Sequence, residues 1–559
     1  MGGGICVEWS NKPNGSLAVK LSKSVAELQR EHVVLELECI DRMYLNAYVP
    51  QLTSEAGVAG FVRGHLGYRF ASTRQVAEMT EAFVESIMQF GLDHQIDLVR
   101  FKKGQRKDHV MQRRLRTFKK KHQEGVIFIG VAQEKARVPR TVRKAFGDGG
   151  TIPWIDYSSA NVNFYYFYCL DEDFGPFFIK FCSYFPYTAK LCINGHEYLK
   201  CQLDRRGIEY EALDNGISWC EDLPAAQRIC DRFDQQKIEA FFRKWLRRLP
   251  HPFSSRDRRA GYRYDLSILQ GEFSLTQIWD QPASGRCFFE EVIRENIDLG
   301  RPEQVQLIFS RKMNKSTVAD GRCRTRIITE GVIPSLHVYY QSTHSKHYHK
   351  AAKRRAGLRT ETTVNNTYDF GIGRRLCNLP ALRQIGFEAN RRILEVEKLS
   401  HDCSIGQQSF QQLQRPADVE GQHVSALRFG DPRVQALFAV LVILSLQPQG
   451  FRNRDLRPLL AQASGLDTQQ ITQAKMSYDL RRLRLHRLIE RITGTQRYQL
   501  TALGRRTALF YSRAFNRIVR PGLSHIAHPN LPPERSKLTA AFHHLEIQLT
   551  NYFTEKKAA

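Results

Sequence analysis

None of the twelve cysteines, which run from Cys6 to Cys403, forms a Cys-x-x-Cys pair, so neither a zinc ribbon nor a dithiol redox centre is expected. Cys192, His196 and Cys201 come nearest to a metal cluster, and their spacing fits no common zinc pattern. Many thiols, Cys169 and Cys182 among them, sit inside apolar runs and read as buried and reduced. A bilayer-spanning run of roughly 20 apolar residues is also missing; the longest apolar run begins at Val434 and stops well short of that. There is no signal-peptide pattern, and Met1-Gly2-Gly3-Gly4-Ile5-Cys6 carries Cys6 where a myristoylation signal needs Ser or Thr. A soluble cytoplasmic protein with no membrane partner is the expectation. A Walker loop, a dinucleotide fingerprint, a nucleophile elbow and internal repeats are all absent, so none of those classes is indicated.

Acidic residues are scarce relative to basic ones. The 559 residues carry 57 Asp+Glu against 83 Lys+Arg, a formal net charge of +26, which calls for a polyanionic partner. With 42% apolar and 11% aromatic residues the composition is that of a folded globular protein, and the length suggests several domains.

The clearest local pattern lies at 431–523. An apolar helix from Val434, a second helix around Leu456, Leu459 and Leu460, and a third carrying Met476, Leu480 and Leu483 at helical spacing precede two short strands. These flank Thr493-Gly494-Thr495-Gln496, which suits a hairpin. Helix, helix, helix, hairpin is the order of a winged helix-turn-helix. Lys475, Arg481, Arg482 and Arg484 are expected near phosphates, Gln473, Ser477 and Tyr478 near base edges, and Arg497 beside the wing with Arg491.

Ahead of it, a tail (1–30) and a basic α/β region (31–160) are expected. Lys102, Lys103, Arg106, Lys107, Arg113, Arg114 and further cations to Lys121 crowd one helix and its approach, with Asp108 the sole acid. Such crowding of like charge points to a phosphate backbone. Asp41 and Glu134, read as strand-end carboxylates, are the candidate ligands of Mg²⁺ or Mn²⁺ in a two-metal nuclease. Region 161–300 is an aromatic hairpin, Asn163–Leu170 with Phe177–Tyr184 around an Asp171–Gly175 turn, followed by helices. Packing into the core is the default for those rings. Region 301–365 reads as an antiparallel sheet with a basic, His-rich loop. There His347 and His349 could hold a metal beside a nucleophilic tyrosine such as Tyr339, Tyr340 or Tyr348, and Lys353, Arg354 and Arg355 could contact phosphate. A helical connector (366–430), with Leu379 to Leu399 helical, leads to the winged helix. A last amphipathic helix occupies 524–559.

The motifs Tyr166-Phe167-Tyr168, Asp173-Phe174-Gly175-Pro176, Asn194-Gly195-His196-Glu197, Arg359-Thr360-Glu361-Thr362 and Tyr478-Asp479-Leu480-Arg481-Arg482-Leu483-Arg484 resemble a widespread family of uncharacterised bacterial proteins. The likeness covers most of the chain. It implies a bacterial, intracellular protein with a C-terminal winged helix and assigns no activity. The expected whole is therefore an α/β and α+β multidomain protein: an N-terminal α/β region, a central antiparallel sheet and a C-terminal winged helix-turn-helix. It is expected to bind DNA in replication or mobility of a DNA element. The alternatives are a metal-dependent nuclease or strand-transfer enzyme, and a non-catalytic RNA-binding protein of a ribonucleoprotein.

Overall fold

The computed structural model describes residues 25–519 apart from 103, 121–122, 147–149, 287, 289–322, 331–332, 341–342, 352–355, 400–404, 420, 446 and 448–449, together with isolated positions at 544, 547–548 and 551. The N-terminal part contains helices α1 (Val25–His32), α2 (Glu55–Gly60), α3 (Thr73–Asp93) and α4 (Lys107–Phe118), then α5 (Gly195–Arg205), α6 (Leu223–Asp231), α7 (Gln235–Arg248) and α8 (Ser255–Arg259). Strands β1 (Val33–Tyr48), β2 (Leu98–Arg100), β3 (Gly125–Phe146), β4 (Gly150–Asp171), β5 (Gly175–Cys182) and β6 (Ala189–Asn194) lie among them. The small hairpin β7–β8 (Tyr210–Leu213, Gly216–Cys220) precedes β9 (Asp265–Trp279). Strands β10 (Cys323–Glu330), β11 (Ile333–Tyr340), β12 (Thr343–Ala351) and β13 (Ala356–Val364) follow.

Except for β7–β8, these strands form one eleven-stranded sheet in the order β10-β11-β12-β13-β9-β1-β6-β5-β4-β3-β2. Its neighbours are antiparallel save β2, which runs parallel to β3. The ranges 31–160, 161–300 and 301–365, read separately in the sequence, therefore all contribute strands to one sheet. The reason is long-range pairing: β1 lies between β6 and β9, and β9 between β1 and β13. Sequence periodicity carries no information about such partners.

In β1, Leu35, Leu37 and Cys39 are buried while Glu36 on the alternate face is exposed, the alternation of a sheet with one face on a core. That core takes in α3, α5, α6 and α7 through Phe83, Leu199, Ile229 and Trp245. Consecutive aromatics in β4 serve both faces. Tyr165 and Phe167 join this core, whereas Phe164, Tyr166 and Tyr168 form a second layer with Phe128, closed by Met111, Leu115 and Phe118 of α4.

The 366–430 range divides: its first part covers the sheet, while Ile405, Leu413 and Leu427 join the core of the C-terminal unit. Helix α9 (Leu379–Leu399) lies on β9, where the Asn390 amide donates to the Phe273 carbonyl at 3.0 Å and the Phe387 ring meets that of Phe273 at 5.8 Å. After α10 (Gln407–Gln414) and the short hairpin β14–β15 (Ala417–Val419, Gln422–Val424), the chain builds a second unit. It comprises α11 (Pro432–Leu444), α12 (Asn453–Ser464), α13 (Gln473–Leu485), the hairpin β16–β17 (Ile489–Arg491, Tyr498–Leu500) and α14 (Ala502–Ala514). It has its own core, with Phe438, Leu441, Leu456, Met476, Leu483, Ile489 and Tyr511 buried together. The polypeptide is thus a mixed α/β, multidomain protein. No described helix is long and apolar enough to cross a membrane. Most of the 1–30 tail and of the 524–559 helix lies outside the described residues.

Candidate nucleic-acid interface

Helix α13 starts where Thr472 caps it, its hydroxyl accepting from the Lys475 amide at 3.3 Å. Met476, Leu480 and Leu483 turn into the core. Gln473, Lys475, Ser477, Tyr478, Arg481 and Arg484 remain exposed. Arg482, expected with the phosphate-facing cations, is buried instead. It donates to the Ala426 carbonyl and lies 3.7 Å from Asp479, which also receives Arg433 at 2.6 Å. One turn separates positions 479 and 482, so the buried carboxylate draws its neighbour inward, an effect the count of arginines does not reveal.

The hairpin β14–β15 flanks this helix: Gln422 accepts from Arg481 at 3.1 Å, and the Tyr478 and Ser425 hydroxyls are 2.7 Å apart. Sequence reading missed this neighbour. The Asn453 amide of α12 reaches the Ser477 hydroxyl at 3.0 Å. Beyond the helix, Gly494 turns the β16–β17 hairpin at φ +72°, a conformation that favours glycine. Exposed Arg491 hydrogen-bonds the Thr495 carbonyl at 2.7 Å, and Arg497 holds the Gly450 carbonyl at 3.2 Å.

On the sheet domain, Lys102, Arg106 and Arg113 are exposed. Lys103 lies outside the described residues. Lys107 and Arg114, expected on the phosphate surface with them, have internal partners. Lys107 binds Glu134 at 3.1 Å and the Tyr166 hydroxyl at 2.7 Å, and Arg114 binds Asp97 at 2.6 Å.

Glu134 is in consequence no open metal ligand. Lys180 reaches its other oxygen at 2.6 Å. Burial pushes this carboxyl up, but the Lys180 charge and the hydrogen bonds from Lys180, Tyr166 and Lys107 outweigh it and hold the group down at about 2. Asp41 and Glu134 are not brought together either. Strands β6, β5 and β4 separate β1 from β3, about 19 Å at roughly 4.8 Å per strand, whereas paired catalytic metals stand about 4 Å apart.

Asp41 is not at a strand end but at a bulge within β1, between the pairs Ile40–Phe273 and Arg42–Glu272. Its carboxylate binds the fully buried Arg359 at 2.8 Å and takes a hydrogen bond from Asn215 in the β7–β8 turn. Arg359 also meets His196 and lies 3.8 Å from Glu361. Glu361 in turn binds Lys346 at 2.8 Å and the Tyr348 hydroxyl at 3.0 Å. Glu272 completes the group: carboxylate oxygens of Asp41, Glu272 and Glu361 lie within 4.8 Å of one another. Burial above all, then the Glu361 and Asp41 charges, push Glu272 up to about 7 against the pull of Arg42. Three carboxylates could ligate one divalent ion, although Arg359, Lys346 and Arg42 already lie against them.

The His-rich segment is not a loop. It is strand β12, paired on both sides. Lys346 and Tyr348 reach Glu361, so His347 falls on the opposite face, where it is buried and its Nδ1 lies 2.9 Å from the Thr360 hydroxyl. His349 pairs with Leu358 in the ladder; its imidazole, like the side chains of Tyr339 and Tyr340 and all of 352–355 with Lys353, Arg354 and Arg355, lies outside the described residues. Burial and the Glu361 charge raise the Tyr348 phenol, which opposes formation of a phenolate nucleophile. Asp171 keeps to its turn, accepting from the Asp173 and Phe174 amides at 2.8 and 3.0 Å. No family model, curated protein or solved structure matches this chain.

Proposed function

We propose that the unit at 431–523 is a winged helix-turn-helix and that the protein binds DNA through it, in replication or movement of a DNA element. The exposed face of α13 carries this reading. It presents Gln473 and Ser477 near the helix start, where recognition helices read base edges, and Lys475, Arg481 and Arg484 for phosphates. The hairpin bearing Arg491 and Arg497 follows α13 directly in the chain, the order a wing takes after a recognition helix. The net charge of +26 supports the same ligand class, and Lys102, Arg106 and Arg113 add exposed cations on the sheet domain, more than a small repressor needs. Fluorescence anisotropy with labelled duplex, single-stranded DNA and RNA tests this reading. Deleting 431–523 is expected to abolish preference for duplex while leaving weak, salt-sensitive polyanion binding; an unchanged preference refutes it, and tighter binding to structured RNA than to duplex favours the ribonucleoprotein reading.

A second reading, metal-dependent phosphodiester cleavage, is favoured by the Asp41–Glu272–Glu361 approach, with Lys346 as the adjacent cation. Incubation of labelled DNA with Mg²⁺ or Mn²⁺ should then give cleavage that Glu272→Gln abolishes. Retention without cleavage on duplex, single-stranded and RNA substrates eliminates it.

A further inference from the structure

Away from α13 and from the buried carboxylates, the sheet domain contains a cavity of about 510 Å³, within the range of small-molecule sites. Its described lining residues include three arginines, Arg137, Arg374 and Arg375, and three tyrosines, Tyr48, Tyr157 and Tyr368, and no acid. The floor is apolar where Val49, Leu52 and Pro186 are buried. Asn46, Thr188 and Ser267 add hydrogen-bonding groups. Cationic groups, flat π surfaces and a few amide and hydroxyl groups match the three parts of a nucleotide: phosphate, base and sugar.

The lining is also fixed in place. Arg374 and Arg375 follow a turn, Thr367–Phe370, that ends at Gly371 with φ +71°. The Arg374 carbonyl accepts from the Ile268 amide at 2.7 Å, and Arg375 bridges Ser267, which ties the segment to β9. Asn366 accepts from the Arg374 guanidinium at 3.2 Å while donating to Asp369 at 3.0 Å. Across the cavity, the Tyr157 hydroxyl is held by the Leu52 carbonyl at 2.9 Å, and Arg137 lies over its ring at 5.0 Å. Tyr368 stands out. It is 62% exposed with the Arg374 guanidinium 5.4 Å from its centroid, a large aromatic surface kept at the mouth beside a cation rather than in the core.

We propose that this cavity binds a nucleoside phosphate, its base stacked on Tyr368 and its phosphate held between Arg137 and the Arg374–Arg375 pair. The nucleotide could be free or a residue of a single strand, since both present the same chemistry. None of its described lining residues belongs to the α13 surface.

Isothermal titration of the full-length protein with ATP, inorganic tripolyphosphate and oligo(dT) tests it. ATP is expected to bind, Tyr368→Ala to weaken it roughly 5- to 150-fold, the span of base–aromatic stacking, and Tyr368→Phe to restore it. Arg374→Ala is expected to weaken ATP and tripolyphosphate alike. A triple Lys475→Ala, Arg481→Ala, Arg484→Ala variant is expected to bind ATP as wild type does, which separates this site from the proposed DNA interface. Oligo(dT) that displaces ATP in a Tyr368-dependent way identifies a strand residue as the source; failure to displace identifies the free nucleotide. Absence of ATP binding at millimolar concentration, tripolyphosphate binding as tightly as ATP, or full affinity in a folded Tyr368→Ala protein would each overturn the proposal.

Discussion

Glu272 makes stability of the sheet domain depend on pH with a sign that can be stated beforehand. Its carboxyl is raised from 4.5 to about 7 in the folded protein, so the folded state retains a proton that the unfolded chain releases near its ordinary value. The associated stability is fully present below about pH 4.5 and is lost as pH rises through 7. Raising the carboxyl that far corresponds to roughly 3 kcal/mol, and the side chain is only 15% exposed, so solvent screening removes little of it. Glu272→Gln mimics the protonated form and should be about equal to wild type at pH 4 and more stable by roughly 3 kcal/mol at pH 8. His251 opposes this trend in the wild type. Burial lowers it from 6.5 to about 4, so the stability it contributes is lost as pH falls below 6.5, and only the difference between variant and wild type isolates Glu272. Urea unfolding followed by tryptophan fluorescence suits the purpose. The five tryptophans, at positions 9, 154, 219, 245 and 279, all precede the C-terminal unit, so the signal follows the sheet domain. Parallel pH profiles for variant and wild type would refute the argument.

Further consequences concern the same two units. Arg359→Met leaves Asp41 buried without its partner and is expected to cost about 3–5 kcal/mol, much of it recovered in the Asp41→Asn, Arg359→Met double variant; equal losses in single and double variants, by the same unfolding assay, would contradict the pairing. Thr472→Ala removes the cap of α13 and should cost about 1 kcal/mol, read as faster amide hydrogen exchange at Lys475. Gly504→Ala places a methyl carbon against the Leu488 carbonyl at 1.8 Å and should displace the first turn of α14 from β16, lowering the melting temperature of the C-terminal unit; an unchanged melt would show that this packing is dispensable.

Some of this arrangement was legible in the residues and some was not. Leu379–Leu399 and the helices at Asn453–Ser464 and Gln473–Leu485 follow apolar stripes that local periodicity exposes, Pro432–Leu444 is a plain apolar run, and the Thr472 cap and Gly494 turn mark boundaries that side chains and glycine dictate. The sheet was only partly legible, because β1 pairs with β9 more than two hundred residues away. Strand β12 was misread for a different reason. Its buried face bears Thr343, Ser345 and His347 rather than aliphatic residues, and it tolerates burial through cross-strand partners: Ser345 to Thr362 at 2.7 Å and His347 to Thr360 at 2.9 Å. A strand whose buried Ser345 and His347 are paired to polar neighbours carries no hydrophobic alternation to detect. Glu272 escaped notice similarly, as one acid in a long β-favouring run whose neighbours Asp41 and Glu361 come from distant strands.

The DNA-binding claim is tested most directly by the salt dependence of duplex affinity in wild type and in the Lys475→Ala, Arg481→Ala, Arg484→Ala variant. If these cations neutralise phosphates, the slope of log K against log salt should become shallower by about 2–3, since each phosphate contact contributes roughly 0.9, with weaker binding at low salt. A slope and affinity identical to wild type would contradict the account.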